Sequence, residues 1–312
     1  MMLVSTRFQE QIRQLADAES VPADASLEQY LSDLGLAYLS DGEHLQLKES
    51  LELLDSSRIE RAMTESARAG LSGLRIHWSV GSTNTWLMDV RHEPDWHGLV
   101  CLAEQQVAGK GRRGRSWVSP FGKNIYMSVG WNMPRNIPGL SGLSLVVGTQ
   151  VASALASLGV EACRLKWPND ILLDGGKLAG ILVELAAPER HHVGVVIGIG
   201  VNLRLTPGEM ADVDQAWATV SQVREISRNA VVAAILDRLL PALSRFEVEG
   251  FDGFREEWEG YDLYRDREVV VHLGDKLIEG IDRGIDRDGN LILETAQGRE
   301  IFSAGEVSMR EG

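Results

Sequence analysis

Apolar spacing divides the chain into three stretches. Near the start, Phe8, Ile12 and Leu15 recur at helical spacing. A second helix is expected over 26–34, with Ser26 as its cap and Gly35 ending it. Apolar runs at 36–39 and 45–47 flank Ser40-Asp41-Gly42-Glu43-His44 and predict a hairpin. A short helix follows within 61–75, ending near Gly70. The middle of the chain then reads as strands at 74–80, 99–103, 124–131, 161–167, 171–173, 177–185 and 192–205. Among them are a helix opening at Ser82 or Thr83 and a buried, Ala/Val/Leu-rich helix at 143–158. Gly198 and Gly200 lie inside the last strand, which points to a bulge or to a ligand pressed on the backbone. Ser227 caps a helix running to about Glu247, with Pro241 as a kink or break, and 251–263 reads as a shorter helix. Beyond Arg265, short β runs at 269–273, 276–282, 284–286, 291–294 and 300–302 alternate with turns such as Asp288-Gly289-Asn290. These predict a small barrel of five or six strands. The pattern gives an α+β fold with a central mixed or antiparallel sheet and helices packed on it.

With 312 residues, two or three domains are expected. The boundaries read as 1–60, 61–263 and 264–312. Residues 1–60 stand apart in charge, with acidic residues outnumbering basic ones twelve to four. The order helix, helix, hairpin resembles a shortened, degenerate winged helix. A DNA reader carries Lys and Arg along its recognition helix, whereas the second helix holds Glu28 and Asp33 and no base. DNA binding is therefore expected to be absent or weak. The net charge of -14 and pI near 5.0 argue against broad nucleic-acid or anionic-membrane binding. Apolar runs look too short to cross a bilayer, and the start of the chain lacks the pattern of a signal peptide. Cys101 and Cys163 read as buried thiols rather than a pair. The cytoplasm is the expected compartment.

Against this acidic background, Gly109-Lys110-Gly111-Arg112-Arg113-Gly114-Arg115 packs three glycines and four cations into seven residues, followed by Ser116-Trp117. Such a loop suits an anionic ligand: glycines allow close backbone approach and the cations neutralise charge. The spacing also fits a dinucleotide fingerprint and, with Arg for Lys, a phosphate loop. Both require a helix to start at the loop's end. Pro120 and Gly122 oppose that helix, and no acid follows at the distance a ribose contact needs. The reading kept is a flexible anion clamp.

There is no Gly-x-Ser-x-Gly elbow and no Cys or His spacing for a metal, so no protein metal site is expected. The remaining polar turns are Ser82-Thr83-Asn84, Gln105-Gln106, the clamp loop, Lys166-Trp167-Pro168-Asn169-Asp170, Lys177 and Asn202. Together they supply cations, amide donors and one carboxylate. That set suits an anionic substrate meeting a nucleotide phosphate, where positioning and charge neutralisation dominate.

These residues resemble the biotin protein ligases. The 109–117 loop is similar to that family's Gly-Arg-Gly-Arg-Arg-Gly-Arg-x-Trp loop. Lys166–Asp170 with 177–184 is similar to its second signature and Gly198-Ile199-Gly200-Val201-Asn202 to its third. The resemblance runs from about residue 74 to 310. It implies a class II synthetase-like centre, a C-terminal SH3-like barrel and, faintly, the winged helix of the ligase–repressor branch. It also implies a two-step reaction. Biotin and ATP, with Mg2+, give biotinoyl-5′-AMP, and a lysine of a biotin carboxyl carrier protein then takes the biotin. A homodimer is left open.

Residue by residue, the resemblance assigns Lys177, Arg112 and Asp170 to catalysis. Biotin would meet Ser82, Thr83, Asn84, Gln106, Gly109, Lys110, Gly111, Arg112, Lys177, Gly180 and Ile181. The nucleotide would meet Arg115, Lys166, Asn169, Asn202, Trp217 and Arg310. Lys110 departs from the family's arginine, keeping the charge and losing the bidentate fork. A lipoate–protein ligase and a biotin-sensing repressor are the competing readings.

Overall fold

The structure is a computed structural model and describes residues 6–135, 140–186, 191–274, 276–303 and 307–311. The N-terminal unit comprises α1 (Thr6–Ala16), β1 (Val21–Pro22), α2 (Ala25–Asp33), β2 (Tyr38–Ser40) and β3 (His44–Leu47), with strands ordered β1-β3-β2. Ile12, Leu15, Leu27, Leu31 and Leu45 form its core. Asp24, not Ser26, caps α2, accepting from the backbone N–H groups of Ser26 and Leu27. Two helices, α3 (Ser56–Ala62) and α4 (Glu65–Ala69), then lead into the central sheet.

The following elements are β4 (Gly73–His77), α5 (Thr83–Asp89), β5 (Leu99–Ala103), β6 (Ile125–Pro134), α6 (Leu143–Ser157), β7 (Arg164–Lys166), β8 (Asp170–Leu173), β9 (Gly176–Leu185) and β10 (His192–Val201). They build a seven-stranded sheet ordered β4-β5-β6-β10-β9-β8-β7. Only the β4–β5 pair is parallel, so the sheet is mixed. Long α7 (Arg228–Glu249) runs through Pro241, and α8 (Arg255–Glu259) is much shorter than the predicted 251–263. On one face of the sheet, α6 and α7 join Val195, Ile197 and Ile199 in the main core. On the other, α5 packs by Leu87 against Leu99, Cys101 and Val196. Contrary to expectation, residues Leu140–Ser157 are long and apolar enough to span a bilayer by composition. Here most of that stretch is buried in the protein core.

The C-terminal unit is a five-stranded antiparallel sheet ordered β14-β13-β12-β11-β15. Its members are β11 (Glu268–Leu273), β12 (Lys276–Ile285), β13 (Leu291–Thr295), β14 (Gly298–Phe302) and β15 (Val307–Glu311). The predicted runs 276–282 and 284–286 are one strand whose register shifts between Asp282 and Ile285, and β15 was not expected. Two seams hold the units together. At the first, Arg228 at the start of α7 pairs with buried Glu104 at 2.6 Å and donates to Glu52 O at 2.7 Å. Phe121, beyond the clamp loop, sits in the N-terminal core, where Trp78 donates to the Tyr30 hydroxyl at 2.7 Å. At the second, Trp167 Nε1 donates to Gly289 O at 3.1 Å and Ser141 Oγ to Asp288 O at 2.9 Å.

Candidate active site

A cavity opens on the α5 face of the sheet, under the clamp loop. The period of two along β10 explains why there is room for it. Val195, Ile197, Ile199 and Val201 turn toward the helices, so Gly198 and Gly200 turn toward the cavity. Pairing of β10 with β6 is continuous from His192 to Val201, so the two glycines do not mark a bulge. They make space instead. A Cβ on Gly198 would collide with Asn84 Oδ1, and one on Gly200 would sit 2.5 Å from the Trp117 ring. On β9, a Cβ on Gly180 would lie 3.0 Å from the same ring.

Ser82, Thr83 and Asn84 are all buried at the start of α5. Ser82 occupies the N-cap position, yet its side chain makes no cap bond. Asn84 Nδ2 donates to Glu184 Oε2 at 2.8 Å and to Leu182 O at 3.3 Å, while its Oδ1 accepts from Ser128 Oγ at 2.6 Å. The amide is thereby fixed in one orientation. Gln106 Oε1 accepts from the Thr83 backbone N–H at 2.9 Å and from Thr83 Oγ1 at 3.2 Å.

The clamp loop folds back on itself. Gly111 N donates to Arg115 O at 2.7 Å, Lys110 bridges Ser116, and Trp117 N donates to Gly109 O at 2.9 Å. Its tip turns through Arg113 and Gly114, both at positive φ. A single turn at Arg112–Gly114 is its only helical piece, and no helix follows before β6. This agrees with the rejection of both phosphate-loop motifs. Arg112 Nη1 reaches across the cavity to Asn169 Oδ1 at 2.8 Å. Burial, then the neighbouring Arg113, lowers its guanidinium pKa below the usual value, and Asp170 acts the other way.

Asn169 in turn clips the Lys166–Asp170 turn to β9: its Nδ2 donates to Ile181 O at 3.1 Å, and Ile181 N donates to its backbone O at 2.9 Å. Lys177 Nζ forms an ion pair with Asp170 Oδ1 at 2.7 Å, both side chains nearly buried, and lies 5.6 Å from the Trp117 ring centroid. Arg112 and Lys177 thus face one cavity. Two fixed cations on a low-dielectric wall favour a ligand with two anionic groups. Beside this cavity lies a second pocket, reached past Lys177 and lined by Trp117, Asn202, Met210, Val213 and Trp217. Asn202 Nδ2 donates to Lys177 O at 3.2 Å, and the Trp217 segment bridges Lys177.

Most of the expected site residues therefore share one place. Ser82, Thr83, Asn84, Gln106, Lys110, Gly111, Arg112, Arg115, Asn169, Lys177, Gly180 and Ile181 line the first cavity, and Asn202 and Trp217 line the second. Gly109 stands at the neck of the loop and Asp170 behind Lys177. Lys166 lines neither cavity. The backbone of Arg310 is in β15, and its side chain falls outside the described residues. Sequence reasoning missed Ser128, Glu184, Met210 and Val213. Ser128 was detectable, since it opposes the apolar Ile125/Met127/Val129 face of β6. Met210 is buried, although the stretch 206–216, with its Pro, Gly and several acids, reads as a surface loop.

The description "Biotin/lipoate A/B protein ligase family" matches residues 78–202, and "Biotin protein ligase C terminal domain" matches 266–310. The bifunctional ligase/repressor BirA of Salmonella typhimurium is 38% identical over 284 residues, 90% of this chain and 87% of that protein. The biotin--[acetyl-CoA-carboxylase] ligase of Paracoccus denitrificans is 36% identical over 212 residues, 66% of this chain and 88% of that protein. Among solved structures, the biotin protein ligase from Aquifex aeolicus in complex with biotin and ATP aligns with a TM-score of 0.67 at 30% identity. It covers 77% of this chain and 99% of its own.

Proposed function

The chain belongs to the biotin protein ligase family, and from that premise we propose the two steps and the residues that carry them. In the first, a biotin carboxylate oxygen attacks the α-phosphorus of ATP. The new C–O–P bond forms as the bond to the β-phosphate breaks, giving biotinoyl-5′-AMP and pyrophosphate. In the second, a neutral lysine amine of a biotin carboxyl carrier protein attacks the anhydride carbonyl and AMP leaves. The observation that carries this reading is the approach of Arg112 and Lys177 to one cavity. Two mutually repelling anions meet there, and fixed cations remove the Coulomb penalty. Lys177 bridges carboxylate and α-phosphate, and Asp170 holds it in place beforehand. Arg112 exchanges Asn169 for the adenylate phosphate.

Ser82, Thr83 and Asn84 take the ureido end of biotin, whose rings lie along Gly180, Ile181 and the β10 glycines. Gln106 lies beside the ligand, while Gly109, Lys110 and Gly111 close over the intermediate and keep water from the anhydride. Arg115, Asn169 and Asn202 serve the nucleotide phosphates. Trp217 stacks on adenine in the second pocket, beside Met210 and Val213. Arg310 approaches the nucleotide from the C-terminal unit, and Lys166 supports its turn from outside both cavities. Mg2+ fits as an ion carried on the ATP phosphates. Asp170 offers one carboxylate, and no cluster of three or more metal-binding side chains occurs among the described residues. The ion would neutralise phosphate charge.

Residues 1–60, 61–263 and 264–312 are taken as a winged-helix-like unit, a synthetase-like centre and an SH3-like barrel. Substrate-dependent pyrophosphate release tests the activity: biotin should support it and lipoate should not, and the reverse would overturn the reading. A repressor role has support in the relatives named ligase/repressor. The acidic α2 speaks against it. A mobility shift at two salt concentrations should give only weak, salt-sensitive binding, and tight sequence-specific binding would restore the repressor.

A further inference from the structure

The neck of the clamp loop carries a polar relay to which no role has been given. Ser119 is buried, with 8% of its surface exposed. Its Oγ accepts from Gln106 Nε2 at 3.1 Å and donates to Trp117 O at 2.9 Å. Gln106 uses its other amide atom on Thr83, through both the backbone N–H and the hydroxyl. Ser128 Oγ lies 2.7 Å from Thr83 Oγ1 and 2.6 Å from Asn84 Oδ1, and its single proton is shared between these two acceptors. The chain of bonds Ser128–Thr83–Gln106–Ser119–Trp117 thus runs from the floor of the cavity to the base of the loop that covers it. Gly109, the loop's first residue, rests on the same group. A Cβ there would lie 2.5 Å from Trp117 O, 2.8 Å from Ser119 Oγ and 3.0 Å from Gln106 Nε2. Trp117 N closes the neck on Gly109 O.

We propose that Ser119 is a positioning residue that couples occupancy of the Thr83–Asn84 end of the cavity to closure of the loop over 109–117. Only a hydroxyl can accept from Gln106 and donate to Trp117 O at once. Without it the Gln106 amide loses one of its two tethers and turns freely, so Thr83 is held less firmly for the ligand. Trp117 O loses its donor, and the loop's neck opens. Ser119 does not line the cavity, so its effect passes through Gln106 and Trp117. The inference rests on the ligase reading, which supplies biotin as the occupant.

Ser119→Ala and Ser119→Thr in the full chain test it by two independent readouts. In steady-state pyrophosphate release, Ser119→Ala should raise KM for biotin about five- to tenfold, with kcat and KM for ATP within twofold. Ser119→Thr, which keeps the hydroxyl, should restore KM. In hydrogen exchange of the ligand-free protein, the Trp117 amide should exchange faster in Ser119→Ala, and biotin should slow it less than in wild type. Unchanged KM and unchanged exchange would overturn the relay. So would a Thr variant as impaired as Ala, with both melting early. A wild-type chain that releases no pyrophosphate with biotin would sink the ligase reading instead, and the exchange rate of the free protein would still judge the neck.

Discussion

The two faces of β10 divide the labour of the molecule. Toward α6 and α7 it presents Val195, Ile197, Ile199 and Val201, each almost fully buried in close-packed core. Toward the cavity it presents Gly198 and Gly200, whose missing side chains leave space for Asn84 and Trp117. One face is filled to hold the sheet, and the other is emptied so that Asn84 and Trp117 can close against the strand beside the cavity. Because strand side chains alternate, the two demands are met residue by residue without competing.

Substitutions separate the faces. The largest effect is expected at the cation that the emptied face receives. Lys177→Ala should lower adenylate formation by about 10³-fold, well beyond what the destabilisation from leaving Asp170 unpaired explains. If activity falls only as far as stability falls, the cavity is not where charge is neutralised. Gly200→Ala should raise KM for biotin about ten- to a hundredfold with a small change in stability. Ile197→Ala, on the filled face, should do the opposite, costing about 2–5 kcal/mol of stability in urea titration with biotin affinity retained. Equal behaviour of these two variants would break the comparison. Arg112→Gly should release biotinoyl-5′-AMP about tenfold faster in a trapping assay, since a charged hydrogen bond to the intermediate is lost.

The smallest effect is expected far from β10, at a pair of carboxylates with no ligand to serve. Burial pushes the Asp282 carboxyl up to about 6, and burial together with the charge of Asp282 pushes Asp262 up to about 7, from an ordinary 3.8. Their protonated forms are favoured in the folded state. The stability they contribute is complete below about 3.8 and is lost as pH rises through 6 to 7. Asp282→Asn keeps the acceptor for Gly284 N and should flatten that slope, raising the melting temperature at pH 8 by about 2–4 °C. A lower melting temperature at pH 8 would contradict this sign.

Much of the framework was legible because its signals are local. Strand β5 follows directly from an unbroken apolar run and helix α6 from a stretch rich in Ala, Val and Leu, and Gly70 ends α4 as expected. Short elements were not legible. Strand β1 has two residues, too few for any period, and β15 closes the C-terminal sheet only by pairing with distant β11. Asp24 displaced Ser26 as the cap of α2 because the first helical turn starts two residues before the one that Ser26 would cap. At the site, cations and glycines announced themselves by density. Ser128 and Glu184 did not, since each matters through the orientation it gives Asn84 across the sheet. Gly198 and Gly200 were noticed, but only their Cβ paths separate a bulge from an emptied face.

A cavity that joins biotin to a protein lysine through an adenylate must change the mass of its acceptor. Intact-mass analysis of a biotin carboxyl carrier domain, after incubation with the chain, biotin and Mg-ATP, tests this most directly. One biotinoyl addition on a single lysine is expected, accompanied by AMP and slowed about 10³-fold by Lys177→Ala. A carrier domain of unchanged mass, with the chain folded and both substrates present, would contradict the ligase reading.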